Sequence, residues 1–324
     1  MPSLSDPRIV SIGEAIVDLI GDARSSYRPF AGGSPLNAAV AAARLGVPTA
    51  ILTRFSHDAF GELLRAHLEG SGVDLRWAER GPEPTSLAVV TLDHEGRATY
   101  GFYRAETADV SYDPRPRPAL PPSVQVGNVS MSLLRPPARD AMREIVAAHG
   151  RGRGTTDVAG DTSGRITWVL DPNARPALWP GPAAFAREFA TWVPLADVVK
   201  VSDEDLAYLG GDESALVAAW LEAGVQAVVV TAGPEGARLH RGDRPVMHVP
   251  GRRVAVVDTV GAGDTFTAGL TTGLAGGPPL RELDDDRWHA LLRRAVVASS
   301  ITCTRKGADP PSAAELTAAL AAGG

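Results

Sequence analysis

The sequence has little of what marks several large protein classes. Its 324 residues include one cysteine, Cys303, which excludes a disulfide framework or a multi-cysteine metal site within one chain. It has no basic run and a net charge of −6, so we expect no nucleic-acid partner. No apolar run approaches the about 20 residues of a membrane-spanning helix, so we expect no membrane partner. The first residues lack a basic segment followed by an apolar stretch, which predicts a cytoplasmic protein without a signal peptide.

The remaining composition is that of a soluble globular protein, with 44% hydrophobic and 22% charged residues. Short apolar runs alternate with helical patterns, which predicts a mostly parallel sheet covered by helices on both faces. The predicted strands are residues 8–12, 49–53, 87–92, 98–103, 124–127, 166–171, 197–201, 227–231 and 254–258. The predicted helices are residues 35–45, 59–69, 137–148, 182–191, 213–223, 264–274, 288–301 and 313–320.

Two segments depart from this alternation. The strands at 87–92 and 98–103 are separated by residues 93–96 and predict a hairpin with a longer turn. Residues 151–164 are rich in Gly, Thr, Asp and Arg and predict a surface loop. In an open parallel sheet, ligands bind beyond the carboxyl ends of the strands, so the loops that follow strands are the places to look for chemistry.

The strongest such loop is Gly261-Ala262-Gly263, after which a helix is predicted to open at Asp264. Glycines let backbone N–H groups point the same way, and a helix N-terminus adds unpaired N–H groups and a partial positive charge. The segment can therefore hold a phosphoryl group, with Asp264 as a base towards a hydroxyl. The alternative is that Asp264 only caps the helix and the glycines only form a turn. The spacing matches neither a P-loop nor a dinucleotide fingerprint.

Residues 258–264 resemble the signature near the C-terminus of the ribokinase-like (PfkB) carbohydrate kinases, and residues 31–39 resemble the family's second signature. The two motifs stand in the family's order, and the resemblance runs from Gly13 to Ala308. It implies an α/β fold: a ribokinase-like three-layer αβα sandwich with a mostly parallel central sheet. It also implies one kinase domain over residues 1–324, with a small β-sheet lid from about residues 15–31 and 86–109.

The resemblance also implies roles for residues at matching positions. Asp264 would be the catalytic base, and the N–H groups of Gly261, Ala262 and Gly263 would form the anion hole for the transferred phosphoryl group. Of the sugar-binding residues, Asp18 would accept hydrogen bonds from hydroxyl groups. Gly33 would let the sugar approach the backbone, and Asn37 would offer both a donor and an acceptor. Without the family, Asp18 reads as an exposed turn residue.

Residues 171–179 narrow the resemblance, because they are similar to a segment of fructokinases and 2-keto-3-deoxygluconate kinases. Phe102 and Arg104 resemble the lid segment of the same enzymes, so Arg104 and Arg175 would face the sugar. A guanidinium suits either ring hydroxyls or a carboxylate. Phe102 fits the fructokinase pattern better, because the keto-acid kinases tend to have tyrosine there.

Two further segments would bind the nucleotide. Residues 200–205 resemble the family's Lys-x-Asn-x-x-Glu segment, which helps to hold Mg-ATP through waters. This chain departs from that segment, with Ser202 in place of Asn and the shorter Asp205 in place of Glu. Glu204 is therefore an alternative to Asp205 for the water-mediated contact with Mg²⁺. The same segment is also typical of a capped helix start. The residues expected to bind ATP are Lys200, Ser202, Thr231, Gly233, Gly236 and Gly263, with Asp205 expected to reach Mg²⁺ through water.

The segment 304–308 resembles one that flanks a monovalent-cation site in ribokinases, which implies a K⁺ site with Asp258 and Gly307. The expected activity is ATP- and Mg²⁺-dependent phosphorylation of a ketose hydroxyl, first of all fructose to fructose 6-phosphate. The alternatives are a 2-keto-3-deoxygluconate kinase and a sugar-binding regulator without catalysis. The intact Asp264 argues against the regulator. Lids of such kinases pair between subunits, which makes a homodimer through the lid an expectation.

Overall fold

The computed structural model describes residues 6–21, 26–92, 98–130, 135–150 and 165–322. The predicted hairpin turn at 93–96 and the predicted loop at 151–164 lie outside the described residues. The described strands are β1 (Ile9–Ile12), β2 (Ile16–Gly21), β3 (Tyr27–Gly32), β4 (Thr49–Leu52), β5 (Arg54–Ser56), β6 (Glu79–Gly81), β7 (Leu87–Leu92), β8 (Ala98–Tyr103), β9 (Val126–Ser130), β10 (Thr167–Asp171), β11 (Val198–Ser202), β12 (Ala227–Thr231), β13 (Ala237–His240) and β14 (Met247–Val249).

The described helices match the predicted ones to within a few residues and add α5, for which the sequence showed only a capped start. They are α1 (Ser34–Arg44), α2 (Ala59–Gly70), α3 (Ala138–His149), α4 (Pro182–Trp192), α5 (Asp203–Leu209), α6 (Glu213–Glu222), α7 (Ala262–Leu274), α8 (Asp285–Thr302) and α9 (Ala313–Ala322). Within the described ranges, every helix is too short or too polar to cross a lipid bilayer.

The main sheet has eight strands in the order β14-β13-β12-β11-β10-β9-β1-β4. The six strands from β12 to β4 are parallel, and β13 and β14 are added antiparallel at one edge. Successive strand residues enter cores on opposite faces, as the period of two requires: Val228 and Val230 pack with α3, α4 and α6, whereas Val229 packs with α1, α7 and α8. The predicted α/β sandwich with a mostly parallel sheet is confirmed.

A smaller sheet, the lid, stands beside the main one. Its strands run in the order β3-β2-β7-β8, with β2 and β7 parallel and the other neighbours antiparallel. They come from the two segments predicted for the lid. Four large apolar side chains on the lid are exposed: Ile20, Tyr27, Phe30 and Tyr103.

The predicted strand at 254–258 is wrong. The structure has no strand there, and the side chains of Val256 and Val257 are 63% and 64% exposed. The chain leaves the sheet after β14, and the Val257 N–H donates to the Cys303 carbonyl rather than to a neighbouring strand. A run of β-branched residues has the composition of a strand, but it forms one only where a partner strand is available.

Parallel pairing brings the carboxyl ends of the central strands to one edge. Asp171, which ends β10, is paired with Ser130, which ends β9; Ser202, which ends β11, is paired with Thr231, which ends β12. The loops that carry most of the predicted site therefore leave the sheet on the same side.

The packing of the central strands yields a stability prediction. A Cβ atom on Gly127 in β9 would overlap the ring of the fully buried Trp168 in β10. We expect Gly127→Ala to lower the free energy of unfolding by about 1–3 kcal/mol, because a close-packed core cannot accept an added methyl group without strain. Thermal unfolding measures this, with Gly101→Ala as the control, since a Cβ at Gly101 meets no atom closer than 3.9 Å. Equal midpoints for the two variants would contradict the packing.

Candidate active site

The N-cap residue of helix α7 is Gly261, which has a left-handed backbone conformation with φ 74°. Because glycine has no side chain, the helix has no side-chain cap. A Cβ atom on Gly261 would lie 2.6 Å from the Cβ of Ala308, so only glycine fits beneath that segment. The Ala262 N–H donates to the Thr259 carbonyl at 3.2 Å. Within the described part of the chain, the N–H groups of Gly261 and Gly263 have no acceptor. These two groups are available to an anion, whereas Ala262 is already used.

Asp264, in the first turn of α7, contacts the first turn of α1. Its Oδ1 accepts a hydrogen bond from Ser34 Oγ at 2.6 Å, and its Oδ2 accepts one from Asn37 Nδ2 at 2.9 Å. Helix α1 also begins at a glycine, Gly33, with φ 103° and no side-chain cap. A Cβ atom there would lie 2.9 Å from the Glu14 carbonyl oxygen. The two signature motifs, 230 residues apart, thus meet at one carboxylate.

Asp18 on β2 faces the same space. Its carboxylate lies over Gly32, where a Cβ atom would overlap it. Burial raises the pKa of Asp18 to about 6; the positive charge of Arg175 opposes that rise, and the negative charge of Asp264 adds to it. The structure therefore brings Asp18 of the lid within electrostatic range of Asp264 and of the exposed Arg175.

The two lid residues predicted for the sugar differ in their surroundings. Phe102 on β8 is partly buried and packs with Ile16, Ala88 and Leu178, which joins the lid to the segment after β10. The Arg104 side chain is only 8% exposed, and its Nη2 lies 3.1 Å from Asp109 Oδ2. Arg104 thus already has a carboxylate partner, which an anionic ligand would have to compete with.

A buried ion pair lies beneath the turn of Gly261–Gly263. Lys200 Nζ donates to Asp171 Oδ2 at 2.8 Å, and both side chains are 5% exposed. Burial alone would lower the pKa of Lys200, but the Asp171, Asp205 and Asp264 carboxylates outweigh it and raise that pKa, so Lys200 is charged. A Cβ atom on Gly263 would lie 3.4 Å from Lys200 Nζ, which places the ammonium directly under the turn.

Asp205 is held by several donors at the start of α5. Its Oδ2 accepts from the Ser202 N–H and hydroxyl, and its Oδ1 accepts from the Ala174 N–H at 2.7 Å. The Asp205 N–H in turn donates to Ser202 Oγ at 3.0 Å, which completes a capping box. The water-mediated role of Asp205 towards Mg²⁺ stays a prediction, and the exposed Glu204 beside it has more room for a hydrated ion.

The predicted nucleotide loop is a tight connection between β12 and β13. A short 3-10 turn at Gly233–Glu235 follows Thr231, and Gly233 has a positive φ of 47°. Gly236 is fixed by packing, because a Cβ atom there would overlap the Val249 carbonyl oxygen. The loop lies next to Ser202 at the carboxyl edge of the sheet. Its contact with a nucleotide stays a prediction.

Asp258 links the loop before α7 to the segment after α8. Its Oδ2 accepts from the Gly307 N–H at 2.8 Å, and its Oδ1 accepts from the Val260 N–H at 3.1 Å. The two residues predicted for a cation site are therefore neighbours. Because Gly307 meets Asp258 through its N–H, a cation there would rely on carbonyl oxygens and on the remaining lone pairs of Asp258.

Sequence reasoning missed four residues of this centre: Glu14, Ser34, Asp171 and Thr267. The first three lie inside the motifs that identified the site: Glu14 in the segment before Asp18, Ser34 in the segment before Asn37, and Asp171 at the start of the 171–179 segment. Their position in those motifs was the signal that could have identified them. Thr267, one helical turn after Asp264, approaches Asp171 Oδ2 with its hydroxyl at 3.4 Å, and no sequence pattern pointed to it.

Glu14 is the most unusual of the four. It is fully buried; its Oε1 accepts from the Ser34 N–H at 3.0 Å, and its Oε2 has no hydrogen-bond partner among the described residues. Burial raises the pKa of Glu14 to about 7, against the opposing effects of its backbone hydrogen bonds and of the Arg104 guanidinium. A carboxyl group so placed changes its charge near neutral pH.

The geometry combines a carboxylate that can take a hydroxyl proton, N–H groups that can hold an anion and a lysine that supplies positive charge. These are the parts that phosphoryl transfer to an alcohol needs. The family model described as pfkB family carbohydrate kinase matches residues 6–315. The chain belongs to the pfkB family of carbohydrate kinases.

Similar proteins agree with this assignment. The fructokinase of Rhizobium leguminosarum bv. trifolii is 34% identical over 93% of this chain and 87% of its own length. A crystal structure of fructokinase from Vibrio cholerae O395 with fructose, ADP and calcium bound has a TM-score of 0.82 at 28% identity, covering 97% of this chain and 99% of that one. Fructokinase from Xylella fastidiosa with bound ATP has a TM-score of 0.83 at 25% identity, covering 97% and 98%.

The first prediction from this site concerns the base. If Asp264 takes the hydroxyl proton, Asp264→Asn should lower kcat by about 100-fold or more, because an amide cannot accept that proton. The affinity for ATP, measured by calorimetry, should change little. Asp284→Asn is the control: Asp284 also begins a helix, α8, but lies outside the site. Near-normal turnover by the Asp264→Asn variant would contradict the assignment of Asp264 as the base.

The second prediction follows from Glu14. Because its pKa is raised from 4.5 to about 7, the folded chain binds more protons than the unfolded chain between these values. The free energy of unfolding should therefore fall as the pH rises through that window. Glu14→Gln removes the titration, so its unfolding midpoint relative to the native chain should rise by roughly 3–6 °C from pH 5 to pH 8. A difference independent of pH would show that Glu14 is ionised throughout.

Proposed function

We propose that this chain transfers the γ-phosphoryl group of ATP to a hydroxyl of a neutral ketose, and that fructose, converted to fructose 6-phosphate, is its substrate. The observation that carries the proposal is the position of Asp264, in the first turn of α7 beside two open N–H groups and within the cleft that Asp18 faces. The similar proteins named fructokinase support the choice of sugar.

The reaction follows from these positions. The sugar hydroxyl gives its proton to Asp264 as its oxygen forms a bond to the γ-phosphorus, and the bond from that phosphorus to the bridging oxygen of ATP breaks, releasing ADP. The N–H groups of Gly261 and Gly263 stabilise the charge on the transferring group. The Lys200 ammonium adds positive charge from below without leaving Asp171.

The nucleotide would lie along the carboxyl edge of the sheet, over Ser202, Thr231 and Gly233. Val256, Val257 and Val260 expose apolar surface just before the anion hole, which suits a flat base such as adenine. Mg²⁺, when bound, would supply positive charge that offsets the charge of the phosphates. Glu204 is the exposed carboxylate that could hold its waters.

A keto-acid substrate, 2-keto-3-deoxygluconate, is the second candidate because Arg175 is exposed at the edge of the cleft. Two observations favour fructose over it. Arg104, the other arginine expected to meet a carboxylate, is already paired with Asp109. Asp18, when ionised, would repel a carboxylate close to it, whereas a neutral sugar can donate hydroxyl hydrogen bonds to it.

The exposed apolar residues of the lid support a homodimer formed through that sheet, since a second lid would cover them. We also propose that the enzyme works in the cytoplasm, where ATP is supplied.

The substrate prediction compares the two sugars directly. With Mg-ATP, kcat/KM for fructose should exceed that for 2-keto-3-deoxygluconate. Arg175→Ala should lower the fructose value by about 10-fold, the loss of one hydrogen bond between neutral and charged groups. Arg187→Ala, an exposed arginine on α4, is the control and should leave both values unchanged. A higher value for the keto acid would reverse the proposed order.

The cation prediction follows from the bridge between Asp258 and Gly307. A monovalent ion there would hold the loop that carries the anion hole and offset phosphate charge. Turnover in K⁺ should therefore exceed turnover in tetramethylammonium buffer at the same ionic strength. Equal rates would reject the site.

A further inference from the structure

We propose that Ser34 positions the catalytic base: its hydroxyl holds the Asp264 carboxylate in the orientation that receives the sugar proton. The inference rests on the proposed role of Asp264 and adds a residue that the sequence motif did not assign. Ser34 does not touch the reacting atoms in this account, and acts through Asp264.

The contact is short and buried. Ser34 is 8% exposed, and the 2.6 Å between its Oγ and Asp264 Oδ1 is typical of a hydroxyl donating to an ionised carboxylate. Asn37 Nδ2 donates to the other oxygen at 2.9 Å. A carboxylate can otherwise rotate about its last torsion, and one donor on each oxygen fixes the plane of the group. Each oxygen keeps a further lone pair for the sugar hydroxyl.

Ser34 is itself held in place from behind. Its N–H donates to Glu14 Oε1 at 3.0 Å, and Gly33 before it packs against the Glu14 backbone. Pro35 after it has a fixed φ, and the Pro35 carbonyl accepts from the buried Ser11 hydroxyl at 2.7 Å. The Ser34 hydroxyl is therefore delivered to Asp264 by a rigid helix start, which is what a positioning residue needs.

The Ser34 hydroxyl does not cap its own helix. Helix α1 has no side-chain cap, and the Ser34 hydroxyl points across to α7 instead of to an N–H of its own first turn. Gly33 holds the N-cap position and Ser34 is the first residue of the helix, so the Ser34 hydroxyl has no capping role. The direction of this hydrogen bond is the observation that separates positioning from capping.

The first arm of the test needs no sugar. A double-mutant cycle with Ser34→Ala, Asp264→Ala and the double variant is followed by thermal unfolding without ligands. The effects should be non-additive by about 2–4 °C, because the two side chains share one hydrogen bond. Ser11→Ala with Asp264→Ala is the matched control: Ser11 donates to the Pro35 carbonyl in the same helix start but not to Asp264, so this pair should be additive. Additive effects for Ser34 and Asp264 would overturn the proposal.

The second arm measures catalysis. Ser34→Ala should lower kcat by about 10-fold with little change in the KM for the sugar, because a misoriented base slows the chemical step rather than binding. Ser34→Thr keeps the hydroxyl and should restore most of the lost kcat. An unchanged kcat in Ser34→Ala, even with coupled unfolding, would show a structural role only.

The two proposals fail in different ways. If the native chain does not phosphorylate fructose, the choice of sugar is wrong, and the kinetic arm is run with the best sugar of a panel of ketoses, aldoses and keto acids. If no sugar is turned over, the unfolding cycle alone decides whether Ser34 and Asp264 are coupled.

Discussion

The first turns of α1 and α7 meet at the Asp264 carboxylate, and the rest of the site depends on that contact. Both helices begin at a glycine with positive φ and have no side-chain cap, so two sets of unpaired N–H groups and two positive helix ends converge. Such an arrangement is unfavourable unless negative charge lies between the ends. Asp264 supplies part of that charge, Glu14 accepts one N–H of α1, and the remaining N–H groups on α7 are open to a phosphoryl group.

Four ionisable side chains lie around this contact: Lys200, Asp171, Asp18 and Glu14. Lys200 and Asp171 form a buried pair under the turn, and that pair keeps the lysine charged although it is out of water. Burial raises the pKa of the partly buried Asp18 to about 6 and that of the fully buried Glu14 to about 7. Asp18 lies against Gly32 and Glu14 against Gly33, just before α1, and carboxyl groups with raised pKa values cluster at functional sites.

Much of the fold could be predicted from the sequence because the signals were local. Apolar periodicity located the central strands and the main helices, and glycines beside Asp264 and Asn37 located the two helix starts. The strand expected at 254–258 failed because a strand needs a partner, and pairing is not local. The edge strands β13 and β14 were missed for a different reason: with four and three residues, they are too short for a period of two to stand out.

The sequence predicted which residues belong to the candidate site, but not which of them contact one another. Asp264 and Asn37 could be named from their motifs, yet nothing in either motif shows that Asn37 donates to Asp264 or that Ser34 does so too. Arg104 could be named as a lid residue, but its partner Asp109 decides what it can bind. Asp171 and Lys200 belong to different motifs, and only the register of β10 against β11 brings them together.

The central claim is that phosphoryl transfer takes place at the start of α7, with Asp264 as the base. A crystal structure of the chain with fructose, ADP and aluminium fluoride, a mimic of the transferring phosphoryl group, tests it most directly. The account predicts the mimic against the N–H groups of Gly261 and Gly263, with a sugar hydroxyl within hydrogen-bond distance of Asp264. A mimic bound away from the start of α7, or a reacting hydroxyl that meets Asp18 instead of Asp264, would contradict it.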